Sequence, residues 1–396
     1  MSPGPDTSDV RARLAVSSAF VAQGLLFTVL LTHLPQFKDR FGLSDGSVTL
    51  IIVMVTLIAG VGSLASEALA ARSSSRVALR ASLALAAAAA AVIGLSTQFG
   101  LFVGAFAVYG VALGGVDAAS NMQGVAVQHR YGRSVINSFH AAWSAAAIVG
   151  ALYVALSEHV SLDLGLSVAF AAGVVALIAG GPGAWLLPVT TSALPGVSGE
   201  PERDPGFLTR GPLLALGLAM AAYWAVDSGA SSWGAIYLTD TLTSTDSVAP
   251  LAYGAYQALA LVSRLAGDQA VQRVGAVTVV RLGALLGLAG TLVIVAAPEP
   301  AFAIAGFALT GLGLAVVPPL CFAAAGARAR DRPHADQLVA RLNVFNYLGA
   351  LLGAALIGAI GSGFGMRAGF LLAVLLAGAV LALAAAFAPR PASSSV

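Results

Sequence analysis

The stretch GGVDAASNMQG (114–124) sets one acid in an uncharged run: between Gly100 and Gln128 the only charged side chain is Asp117. Asn121 follows four residues later, which on a helix puts carboxylate and amide on one face. A carboxylate in hydrocarbon is expensive unless paired or wetted, and it commonly marks a substrate or proton path. Two roles are open to Asp117: a structural acid bonded to a neighbouring helix, or a group that binds proton or solute. A second polar face follows in INSFHAAWSAAAIVGA (136–151), where Asn137, His140 and Ser144 line up and Trp143 flanks them. Histidine titrates near neutral pH, which suits a proton relay; a core histidine satisfied by its neighbours is the other reading. In AAYWAVDSGASSWGAIYL (221–238) Asp227 is the only charge, accompanied by Trp224, Ser231 and Trp233. Its serines and Gly229 make a small polar patch where a helix could bend. Simple hydration near the mouth of the segment is the plain alternative for Asp227.

The remaining polar residues of the apolar runs sort by place. Asp117, Asp227 and His140 are the candidates for handling a proton. Candidates for touching a small polar solute are Gln23, Asn121, Asn137, Trp143, Ser144, Trp224, Ser231, Trp233, Tyr256, Gln257, Asn343, Asn346 and Tyr347. Glu67, Arg72, Arg264, Asp268 and Arg273 are gating candidates; Arg264 and Asp268 stand four apart and can pair on one helix face. Arg341 is a cation in an apolar run and needs a partner, either a carboxylate or an anionic group of a solute. Pro318 and Pro319 follow GLGLAVV, and proline removes a helix hydrogen bond and kinks the axis.

These residues must be held by membrane helices. The chain has 396 residues, is 58% hydrophobic and only 10% charged, with a mean hydropathy of +0.88, against roughly 25% charged in soluble domains. A net charge of +2 gives nucleic acid no purchase. The single cysteine, Cys321, excludes an internal disulfide and a thiolate metal cluster, and no HExxH, CxxC or GxxxxGK[ST] motif is present. No cofactor or metal is expected, and the energy for any work must come from a gradient or from the solute itself.

Breaks at charge, Pro or Gly divide the chain into twelve apolar spans of about 20 residues or more: 13–37, 47–71, 77–96, 100–128, 135–157, 163–187, 211–238, 248–271, 277–297, 301–327, 335–361 and 366–388. The polar stretch 189–210 reads as a cytoplasmic linker between a six-helix bundle at 1–188 and another at 211–396. With the N-terminus inside, 15 Arg fall in the inner segments or at the inner ends of the spans, against 3 Lys and Arg in the outer segments or at the outer ends. That bias predicts both termini in the cytoplasm. An internal repeat supports the two halves. GDQAVQRVGAVTVVR (267–281) matches SEALAARSSSRVALR (66–80) at an offset of 201, pairing Glu67 with Asp268, Arg72 with Arg273 and Arg80 with Arg281; Gly110 and Gly311 share that offset. Two parallel repeats are the construction of one large transporter class.

Twelve spans, a central linker, a parallel repeat and polar helices in this order resemble the major facilitator superfamily over nearly the whole chain. Within it, GGVDAASNMQG…GRSVINSFHAAWS (114–144), DSGASSWGAIYL (227–238) and YGAYQALALVSRLAGDQAVQRVG (253–275) are similar to a bacterial branch of fucose-permease-like transporters. The resemblance implies an all-α fold of two pseudo-symmetric six-helix halves. It also implies that Asp117, Asn121, His140, Ser144, Asp227 and Trp233 line a central cavity. The chain departs from the superfamily's loop pattern between spans two and three, with Ala71 at the Asp position and Ser74 at the Gly position, and Ser232 stands where the branch often has Asp. The Pro-Gly antiporter signature of span five and the span-four Arg of many drug exporters are absent. The expectation is a non-enzymatic secondary transporter of the bacterial cytoplasmic membrane, working as a monomer and moving a sugar or metabolite by alternating access with proton symport. Proton-driven export of a drug or natural product is the alternative, and a receptor that no longer transports stays open.

Overall fold

The computed structural model describes residues 6–188, 211–245 and 248–388. The stretch 189–210, read above as a linker, lies outside the described residues, as do Arg203, Arg210 and Arg390. All regular structure among the described residues is helical: α1 (Thr7–Thr32), α2 (Leu34–Phe41), α3 (Asp45–Arg72), α4 (Ser75–Leu95), α5 (Phe99–Tyr131), α6 (Ile136–His159), α7 (Leu164–Gly180), α8 (Gly211–Ile236), α9 (Leu251–Val274), α10 (Ala276–Ala296), α11 (Pro300–Leu314), α12 (Val317–Gly326), α13 (Arg332–Phe364) and α14 (Met366–Leu383). Among the described residues, eleven helical segments are long and apolar enough to cross a membrane. The remaining long helix, α9, occupies expected span eight and is made more polar by Tyr253, Tyr256, Gln257, Arg264 and Asp268.

Two expected spans are broken where proline demands it. The first stops at Thr32 because Pro35 cannot continue the hydrogen-bond ladder; Pro35 instead sits in the first turn of the short α2. Span ten is two helices, α11 and α12, joined at Ala315 and Val316, with Pro318 and Pro319 in the first turn of α12. Pro319 has no N–H to give the Ala315 carbonyl, so that acceptor is open to another donor. Elsewhere the ends are capped by ordinary means: Ser44, Ser74 and Asp163 accept from the backbone N–H three residues on. Gly132 closes α5 at φ 61°, a left-handed conformation that glycine adopts without cost.

The chain forms two compact units. One comprises Met1–Val135, Phe139–Arg203 and Arg330–Val344; the other comprises Ile136–Ser138, Asp204–Ala329 and Phe345–Val396. In the first unit, α5 packs on α3 and α4, and α7 on α4 and α1. In the second, α11 packs on α9 and α10, and α14 on α10 and α8.

The repeat is visible in the contacts. A Cβ on Gly110 would stand 3.0 Å from the Val55 carbonyl oxygen, and one on Gly311 would stand 2.0 Å from that of Tyr256. Val55 and Tyr256 are themselves 201 residues apart, so the same glycine-on-backbone contact joins α5 to α3 and α11 to α9. Small residues at such crossings let membrane helices approach closely. A second match concerns cations on the sparse side of the charge pattern. Arg40 donates to the Gly94 carbonyl at 2.7 Å, and Arg367 to the Val295 carbonyl at 2.6 Å. Gly94 and Val295 are again 201 apart and end α4 and α10, where a cation complements the helix dipole.

Candidate functional site

In the first unit, close packing brings the acid of α5 to its partners. The GVALG stripe (110–114) presses on α3, where a Cβ at Gly114 would fall 1.8 Å from the Ala59 carbonyl oxygen. Ser63 and Ser66 of α3 lock this contact by donating to the Gly114 and Gly115 carbonyls at 3.1 and 3.2 Å. One turn further, Asp117 accepts a hydrogen bond from the Gln23 amide of α1. Gly24, beside Gln23, lies against the Trp143 carbonyl and draws α1 to α6. Gln23 also lines a small apolar cavity with Ala22, Leu83, Ala86, Tyr109 and Leu113.

Asn121 donates from Nδ2 to the Asp117 backbone carbonyl at 2.9 Å, and its Oδ1 lies 3.2 Å from His140 Nε2. The Phe20 ring covers His140 at a centroid distance of 5.0 Å. Ser144 spends its hydroxyl on the His140 carbonyl at 3.1 Å, and Trp143 packs beside Phe27. Gln23 thus meets the Asp117 carboxylate, while Asn121 joins the Asp117 backbone carbonyl to His140, so polar contacts tie α5 to both α1 and α6.

In the second unit, Asp227 of α8 is buried among Tyr253, Tyr256 and Arg264 of α9. Arg264 Nη2 donates to the Tyr223 hydroxyl at 2.9 Å, and its Nε to the Ala315 carbonyl at 3.4 Å. The latter is the acceptor that Pro319 leaves open, so the proline break and the buried cation satisfy each other. Gln257 donates to the Tyr253 hydroxyl at 2.5 Å, Tyr253 stacks on Tyr256, and Trp224 meets Tyr223 edge-on. The Trp224 indole N–H is buried without a hydrogen-bond partner among the described residues.

Other residues singled out from the sequence lie elsewhere. Asn137 is bonded to Asp268, which accepts from the Asn137 and Ser138 backbone N–H groups at 3.0 and 2.9 Å and so caps α6. Glu67 stands 3.9 Å from Arg341, which gives that cation a carboxylate. Asn343 donates to Ser63 at 2.9 Å; Asn346 is buried and Tyr347 partly exposed on α13. Trp233 spends its N–H on the Ala354 carbonyl at 2.7 Å, and Ser231 is exposed and bonded to the Ser228 carbonyl. Arg72 and Arg273 are exposed at the ends of α3 and α9.

Sequence reasoning passed over Tyr223, although it stands four residues before Asp227 and therefore on its face. It also passed over Arg332, which binds Asp336 at 3.0 Å, Ser75 at 3.2 Å and the Met122 carbonyl at 3.0 Å. The four-residue spacing of Arg332 and Asp336 was the available signal.

The comparisons agree with this architecture. The Major Facilitator Superfamily pattern matches residues 216–396. A transporter of Sinorhizobium fredii is 30% identical over 376 residues, covering 93% of this chain and 96% of that one. A transporter of Yersinia pestis of the same superfamily type is 29% identical over 356 residues and 89% of each chain. Among solved structures, the transporter FucP in its outward conformation superposes with a TM-score of 0.79 at 16% identity, over 97% of this chain and all of FucP. A human organic anion transporter, MFSD10, gives 0.73 at 16% identity, over 96% of this chain and 99% of that one. Both likenesses are of fold. From its helices, its repeated contacts and these relatives, the chain is an integral membrane transporter that belongs to the major facilitator superfamily.

Proposed function

We propose that this transporter moves a small polar solute, a sugar or metabolite, across the bacterial cytoplasmic membrane by alternating access, coupled to proton symport through Asp117. Both termini lie in the cytoplasm in this reading, which follows the Arg distribution. The observation that carries it is the setting of Asp117. Its carboxylate is bound by the Gln23 amide, and α1 from Leu14 to Thr32 and α5 from Phe99 to Gln128 contribute no cation. The partner that hydrogen-bonds the carboxylate from α1 is thus an uncharged amide, beside which Asp117 can take up a proton. Asp227 differs, because the buried Arg264 guanidinium belongs to its surroundings.

The amides, hydroxyls and indoles near the two acids suit a neutral polar solute. Trp224, with a buried N–H still to be spent, is the group in the second unit best placed to donate to one. The Escherichia coli fucose:proton symporter, which superposes with a TM-score of 0.81, is a precedent for proton coupling on this fold. Symport predicts that the medium turns alkaline when solute is added to de-energised cells, whereas exchange of solute against protons would turn it acid. The solute is found first by a thermal-shift screen of the purified protein against sugars, nucleosides and antibiotics, since binding raises apparent stability by mass action. Asp117→Asn should then abolish both the alkaline pulse and accumulation while leaving the protein folded. Undiminished accumulation in that variant removes Asp117 from the mechanism.

A further inference from the structure

We propose that Asn121 is a positioning residue: it fixes His140 as the Nε2–H tautomer, so that His140 takes up a proton only at Nδ1 and never from Asp117 through Asn121. The argument is one of donor and acceptor counting. The Asp117 backbone carbonyl can only accept, and it lies 2.9 Å from the Asn121 amide. The atom facing it must therefore be Nδ2, since a turned amide would set oxygen against oxygen. That leaves Oδ1 as the atom 3.2 Å from His140 Nε2. An amide oxygen has no hydrogen to give, so Nε2 must carry one. A neutral His140 then holds its lone pair at Nδ1.

The surroundings hold the ring in this pose. α1 lays Phe20 over the imidazole, and Phe20 also stacks on Phe139 at 5.8 Å. α5 presents Asn121 to the ring, with Asp117 one turn earlier and bonded to Gln23. On α6 itself, the Ser144 hydroxyl is given to the His140 backbone carbonyl.

The proton balance follows. Uptake from hydronium breaks one O–H bond, forms one N–H bond at Nδ1 and releases a water molecule; Nε2–H stays on Asn121 Oδ1, and that bond becomes charge-assisted. An amide that has no hydrogen on its oxygen cannot hand a proton from Asp117 to Nε2. The acid and the imidazole, neighbours in space, therefore sit on separate proton routes. This consequence rests on the proton-coupled reading above; the tautomer does not.

The test needs no solute. Full-length protein labelled with [15N]histidine is reconstituted in liposomes, and its imidazole nitrogens are read by solid-state NMR, with His140→Gln subtracted to assign the signal. At alkaline pH the expected His140 spectrum is one tautomer, with Nε2 protonated and Nδ1 bare; on acidification Nδ1 alone gains a proton. Asn121→Leu should turn that single form into a mixture, while Asp117→Asn should leave it as in the wild type. A wild-type His140 protonated at Nδ1, or a mixture there, overturns the proposal even if neither variant folds. So does a pure Nε2–H form that survives Asn121→Leu. Loss of that form in Asp117→Asn would show that acid and imidazole are linked after all. A protein that fails to couple uptake to protons yet shows the Nε2–H form would remove the transport reading and leave this one standing.

Discussion

Each unit carries an acid within an apolar run of a long helix, half-buried Asp117 on α5 and buried Asp227 on α8, and the two are held in different ways. The Asp117 carboxylate is bound by the Gln23 amide from α1. Asp227 sits among tyrosine hydroxyls with the Arg264 guanidinium beside it. The same repeat, down to the glycine contacts of Gly110 and Gly311, has thus been given two kinds of polar interior. The difference teaches where a proton can come and go. An acid beside a buried cation is costly to remove, because losing one partner of such a pair costs about 3–5 kcal/mol. In the reading proposed above, Asp117, bound by the Gln23 amide, is the acid that changes state.

The largest effect should come from separating Asp227 and Arg264, and a smaller one from Asp117. Asp227→Asn is expected to lower the melting temperature of purified protein sharply, by the equivalent of about 3–5 kcal/mol, and Arg264→Gln in the same chain should recover much of it. Asp117→Asn should leave melting close to wild type. Equal melting losses in the two single variants would erase the contrast.

Tyr223→Phe comes next. It takes a hydrogen-bond partner from Arg264, a loss of about 1.5–3 kcal/mol for a bond to a charged group, and should be seen in chemical denaturation of the second unit. The repeat itself can be probed at its glycines. Alanine at Gly311 meets a carbonyl oxygen at 2.0 Å and at Gly110 one at 3.0 Å. Overpacking costs typically about 1–3 kcal/mol, so Gly311→Ala should be clearly the worse of the two in melting. The reverse order would mean that the contact at α11 yields more readily than its twin.

The smallest effect concerns His33, just beyond α1. Its ring bonds Gln36 at 2.8 Å and Ser167 at 3.0 Å. Burial pushes its pKa below the usual 6.5, and the Gln36 bond and the Glu158 charge only partly oppose this. The folded protein then binds fewer protons than the unfolded chain below about pH 6.5. Stability is full above that pH and falls as pH drops, by at most about 1.4 kcal/mol per pH unit for one group. His33→Gln should flatten that part of the melting-versus-pH curve; an unchanged slope would assign it to other groups.

Much of this was readable before any coordinates. The offset of 201 found in the loops led to Gly110 and Gly311, because a crossing that tight admits only the smallest residue and leaves a mark in the sequence. Asp117 was conspicuous because nothing else in its run is charged. The proline break in span ten was equally plain. That the break would expose Ala315 to Arg264 was not, since the two lie 51 residues apart on different helices and neither sequence names the other. Tyr223 was hidden for a related reason: a tyrosine in an apolar helix reads as packing until its hydroxyl is seen to have a charged partner. Trp233 shows the converse. An indole beside an acid looked like a solute contact, but its N–H needs a partner in any setting and has one in the Ala354 carbonyl.

The claim at the centre is that Asp117, and not Asp227, changes protonation. Infrared difference spectra of the purified protein between acid and alkaline pH test it without a solute, through the C=O stretch of a protonated carboxyl group. The account predicts a band that disappears in Asp117→Asn and persists in Asp227→Asn. A band that survives in Asp117→Asn and vanishes in Asp227→Asn would contradict it.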